Sequence, residues 1–80
     1  MAEQETKISI NSNQDAAIFF GTGDENFKHL KEIIDAQVYA RGSDIFIRGE
    51  QSQVDEASEL IRTLLEVVEN EGQLNINNIN

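Results

Sequence analysis

The residues of this chain best suited to chemistry lie between Gly21 and Lys31. Gly21-Thr22-Gly23-Asp24 is a glycine-rich turn, and Lys28 and Lys31 follow within two helical turns. A helix that starts directly after such a turn presents free N–H groups and the positive end of its dipole, which together attract phosphate or carboxylate. Two ammonium groups on the same helix would add charge. The alternative is a purely structural turn. Thr22 and Glu25 fit the S/T-x-x-E capping box and Asp24 is a second cap candidate, so the helix could supply its own anion. A second cluster comprises Tyr39, Arg41, Phe46 and Arg48. Aromatic and guanidinium groups together can stack on bases, dock a partner domain, or simply stabilise a solvent-facing sheet through cross-strand pairs.

Other chemistry is poorly supported. His29 is the only histidine and has no nucleophile or metal-ligand partner in its pattern. It reads as a solvated helix-face residue, although an imidazole titrates near neutral pH. Asp55, Glu56 and Glu59 share one helical stretch, and carboxylate catalysis would need a cleft and further groups from elsewhere. There is no cysteine, hence no disulfide framework and no thiolate metal site. The expectation is a non-enzymatic chain with no metal or cofactor of its own.

Length and charge narrow the class further. Eighty residues make one small domain, which buries only about 60% of its unfolded surface. A hydrophobic share of 39% with 26% charged residues is ordinary globular composition. No apolar run is long enough for a membrane span and no secretory leader is visible, so a cytoplasmic protein with no membrane partner is expected. The formal net charge of -9 repels nucleic acid at long range, where a nucleic-acid module usually carries the opposite sign. A local basic groove remains compatible with it.

The elements that must position these residues follow from periodicity. Residues 1–5 read as a frayed end. Thr6 to Asn11 alternates, with Ile8 and Ile10 inward, and predicts a strand. Ser12 caps a short helix ended by Gly21 in the left-handed conformation. A second helix runs to about Asp35 on the stripe Phe27, Leu30, Ile33 and Ile34, with Lys28 and Lys31 paired to acids four residues away. Gln37 to Arg48 reads as a hairpin turning at Gly42-Ser43 in a type II′ turn. That register pairs Ala40 with Ile45 and Val38 with Ile47 inside, and Tyr39 with Phe46, Arg41 with Asp44 and Gln37 with Arg48 outside. After Gly49, Ser52 and Asp55 suggest a cap for a long helix carrying Val54, Ala57, Ile61, Leu64, Leu65 and Val68, ended by Gly72. Leu60 and Val67 widen its apolar stripe. Residues 73–80, with Ile76 and Ile79, read as a tail. The sum is an α+β fold, β-α-α-β-β-α, in which three helices cover one face of a three-stranded antiparallel sheet.

This order, with a glycine turn between the first two helices, resembles a type I KH domain. Such domains bind about four single-stranded nucleotides beside a GXXG loop. Gly21, Thr22, Gly23 and Asp24 fall on the loop, Phe27 on the buried helix position, Lys28 on the basic residue after it, Gly49 on the turn before the last helix and Ala57 on its small buried position. Position 24 carries Asp where the KH loop has Gly. The run from Phe19 through Lys31, with Val-Tyr-Ala-Arg-Gly and Ile-Arg-Gly, is more narrowly similar to the N-terminal KH-like domain of PhoH-like, phosphate-starvation-type ATPases, over about Ile8 to Glu69. That resemblance implies an accessory KH-like domain over residues 6–72 and a tail or linker over 73–80 leading to an ATPase domain. ATP and Mg would bind to that parent domain, since no G-x-x-x-x-G-K-S/T occurs here. It also implies weak contact with single-stranded RNA at Gly21, Thr22, Gly23, Asp24, Lys28 and Lys31. The acidic charge points instead to Tyr39, Arg41, Phe46 and Arg48 as a docking face for a protein partner or for homo-oligomer assembly.

Overall fold

The alternating and helical patterns resolve into seven elements in a computed structural model that describes residues 3–74. Strand β1 (Gln4–Ser9) leads into helix α1 (Asn13–Phe20). A single 3-10 turn (Thr22–Asp24) joins it to α2 (Glu25–Ile33), which is followed by β2 (Gln37–Arg41), β3 (Asp44–Gly49) and α3 (Gln51–Glu71). The sheet is antiparallel with order β1-β3-β2. This is the expected α+β, type I KH-like β-α-α-β-β-α arrangement.

The hairpin register is the expected one at all five pairs, from Gln37–Arg48 to Arg41–Asp44. Gly42 has φ +62 while Ser43 stays at negative φ, as a glycine-first type II′ turn requires. Because side chains alternate along a strand, Ile8, Val38, Ile45 and Ile47 all point to one face. There they meet Phe19, Leu30, Val54, Ala57, Ile61, Leu64 and Val68 from the three helices. Truncating a fully buried member such as Ile45 or Ile61 to alanine would cost about 2–5 kcal/mol.

Several local expectations give way to tertiary context. Gln4 and Glu5 are in β1, opposite Gly49 and Arg48, so they are not frayed. The strand ends at Ser9, and Ile10 is held instead by its N–H donating to Ser43 O at 3.0 Å. Ser12 caps α1 as expected, accepting from the Asp15 N–H at 3.0 Å. Gly21 ends α1, but at φ 79, ψ 172, outside the left-handed helical region. Helix α2 stops at Ile33, where Ile34 turns extended. Ile34 remains buried while Ile33 is 48% exposed, so Ile33 is not part of the core stripe. Ser52 does not cap α3. Strand β3 runs to Gly49, leaving Glu50 as the cap residue, and Ser52 is already helical. Gln53 Oε1 accepts from the Glu50 N–H at 3.2 Å. Gly72 closes α3 as expected. Leu74 packs on the core, and the expectation for Ile76 and Ile79 falls outside the described residues.

Candidate nucleic-acid interface

The turn before α2 is built from left-handed backbone. Gly21 has φ +79, and Gly23 and Asp24 have φ/ψ of 62/27 and 61/25. Asp24 is the one non-glycine at positive φ among the described residues. Aspartate tolerates this region better than most side chains, yet it is the region where glycine sits freely. The loop thus keeps a geometry that suits glycine at both its first and fourth positions.

The expected self-capping is absent. Neither Thr22 nor Asp24 makes a side-chain hydrogen bond to the start of α2. Thr22 is wound into the 3-10 turn, and Asp24 holds the cap position in a left-handed rather than extended conformation, the one from which a cap side chain normally reaches back. The first N–H groups of α2 therefore have no side-chain acceptor. The expected pairs of Lys28 and Lys31 with acids four residues away are not formed either. Among the described residues the one ion pair is Arg48–Glu3 at 3.1 Å, while His29 Nδ1 lies 3.9 Å from Glu32 Oε1.

Lys28 and Lys31 instead line a groove of about 460 Å³ with Asp24, Phe20, Phe27, Tyr39, Ala40 and Gly42. One wall is the loop and α2, and the other is β2. The apolar wall is a run of edge-to-face rings, Phe19–Phe20 at 5.5 Å and Phe20–Phe27 at 5.2 Å, anchored by the fully buried Phe19. Lys31 Nζ lies 5.8 Å from the Phe27 ring centroid, within cation–π range. The hairpin alternation places Ala40 on the inner face. Its register with Ile45 holds, but no helix covers it, so it is exposed and forms the groove floor. Strand β2 is an edge strand, so among the described residues one row of its backbone N–H and C=O groups has no strand partner. Two cations against one carboxylate make this lining net positive in a chain of charge -9.

The other loop residues are directed elsewhere. Gly21 and Thr22 border a second cavity, together with Asn26 and Leu74. The Asn26 side-chain amide donates to Ile18 O at 3.2 Å and to Leu74 O at 3.5 Å, tying the end of α1 to the chain beyond α3. Gly23 borders a third, shared with Lys28 and His29. A comparison with protein-family models found no match, and neither did a comparison with curated proteins.

The second cluster lies on the uncovered face of the sheet. Tyr39 and Phe46 are stacked, with ring centroids 5.0 Å apart and planes 9° from parallel. Tyr39 OH donates to Glu5 Oε2 at 2.8 Å across β3, and Arg48 pairs with Glu3. The hydrogen bond to the carboxylate, with smaller contributions from desolvation and from the Glu5 charge, raises the Tyr39 pKa above its ordinary value. Arg41 lies opposite Asp44, whose carboxylate accepts from Ser9 Oγ at 2.8 Å. Tyr39 borders both regions, since it also lines the groove. Sequence reading missed Phe20, Phe27, Ala40 and Gly42 as groove residues. They meet only because the chain reverses between Ile33 and Gln37, so that β2 runs back alongside α2.

Proposed function

We propose that this chain is a non-catalytic KH-like accessory domain of a PhoH-like ATPase, and that it guides RNA to its parent through weak single-strand contact. The observation that carries this reading is the groove: Lys28 and Lys31, in no ion pair among the described residues, stand beside an apolar floor and a left-handed glycine turn. A phosphate would lie against the two ammonium groups and the uncapped start of α2. A base would lie on Phe20 and Ala40, with its edge toward the unpaired backbone of β2. Asp24 stands at the same wall and opposes the phosphate, which keeps the contact weak. ATP and Mg belong, in this reading, to the ATPase domain of the same parent chain, and the compartment is the cytoplasm. Among the described residues no helix is long and apolar enough to cross a membrane.

Fluorescence anisotropy with a short single-stranded RNA across a salt series tests the reading. Contact with two phosphates gives a log–log salt slope of about -1.4. Absence of any binding at low salt would remove the RNA role.

The stacked Tyr39–Phe46 pair favours a second reading, a protein-docking or oligomerisation face with no nucleic-acid contact of its own. Phe46→Asp would then leave the fold intact and abolish association of the parent protein, as sedimentation would report.

A further inference from the structure

We infer that the cleft between the end of α2 and the first half of α3 docks a basic, apolar-anchored helical segment of a partner protein. Helical residues turn by about 100° each, so Lys31 and Ile33 lie on opposite flanks of the buried stripe of α2. The lysine flank faces the groove. The other flank, with Ile33, faces α3 across a concave cleft lined by Ile34, Asp35, Gln53, Glu56, Ala57 and Leu60. Ile33 is one of two large apolar side chains exposed among the described residues, at 48%. Leu60 beside it is only partly buried. The exposed Ile33 and the half-open Leu60 give the cleft an apolar centre that no other element covers among the described residues.

Charge decides what covers it. Asp35 and Glu56 stand at the cleft, Glu32 and Glu59 are exposed nearby in sequence, and no lysine or arginine lines it. Helix α3 carries six carboxylates against the single Arg62. A second copy of this chain docking through the same cleft would bring the same acidic rim and be repelled, and RNA would be repelled more strongly. A segment with a leucine-like anchor flanked by lysines or arginines matches both the apolar centre and the rim. This surface is separate from the groove, so it stands or falls independently of the RNA reading.

The test uses the full chain, isotope-labelled for NMR, and a designed helical peptide with two leucines one turn apart and lysines elsewhere. The amides of Ile33, Asp35, Glu56 and Leu60 are expected to shift together. Ile33→Ala should weaken binding by about tenfold, and Glu56→Lys should weaken it while Glu66→Lys, farther along α3, has much less effect. A peptide with serines replacing the leucines should lose binding. Unchanged affinity in Ile33→Ala, equal effects of the two charge reversals, equal binding of the serine peptide, or no binding at all would each overturn the inference.

Discussion

The Asn26 side-chain amide occupies the space that a β-carbon on Gly21 would enter, with Cγ and Nδ2 both 3.0 Å from that position. The same amide holds Ile18 O and reaches Leu74 O. Glycine at position 21 thus serves two needs, since its φ of +79 with ψ 172 is a region that side chains rarely enter. Gly21→Ala is expected to destabilise the domain by about 2–3 kcal/mol, seen as a lower urea midpoint. Adding Asn26→Ala should recover only part of the loss, because the backbone strain remains and the Asn26 N–H backbone nitrogen is itself 3.1 Å away.

Asp24 allows backbone and charge to be separated. Both Asp24→Gly and Asp24→Ala remove the carboxylate from the groove. Glycine also relieves the left-handed conformation, whereas alanine keeps a strain of about 1 kcal/mol. Thermal or urea unfolding should therefore leave Asp24→Gly within about 1 kcal/mol of the parent and place Asp24→Ala below it. Both substitutions should tighten single-strand RNA binding at low salt, because the repulsion toward phosphate is gone.

Tyr39 is the only tyrosine and there is no tryptophan, so tyrosinate absorbance reports this one phenol. Its pKa is raised from 10.0, first by donation to Glu5. The native state favours the protonated phenol. Its stabilising contribution is therefore whole below the ordinary value of 10.0 and is lost as pH rises through the raised native value. Glu5→Gln should bring the midpoint back toward the ordinary value. A midpoint unchanged by Glu5→Gln would show that the Tyr39–Glu5 bond does not hold in solution.

The hairpin was legible in the sequence because two signals agreed. The alternation of Val38, Ala40, Ile45 and Ile47 and the glycine-first turn at Gly42 permit one register, and a slip of one residue would turn every apolar side chain outward. The fold order and the inner helix stripes followed from the same kind of periodicity. The caps were not legible. Thr22–Glu25 and Ser52–Asp55 match a capping pattern, but what surrounds them decides whether the first residue is a cap, a 3-10 turn or already helix. The groove was half legible. Lys28 and Lys31 could be named from the helix, but Phe20, Phe27 and Ala40 join them only when β2 is folded back alongside α2. The spacing alone allows Ile33 in the core, but its helical phase puts it on the flank of the Phe27–Leu30 stripe, where it is exposed while Ile34, just past the helix end, is buried.

The most direct test is an NMR titration of the labelled domain with a short single-stranded RNA at low salt. The groove account predicts concerted shifts at Asp24, Lys28, Lys31, Tyr39 and Ala40, which weaken as salt rises and vanish in Lys28→Glu. Shifts confined to the Phe46 face, or no shift at any loop or α2 amide, would contradict it.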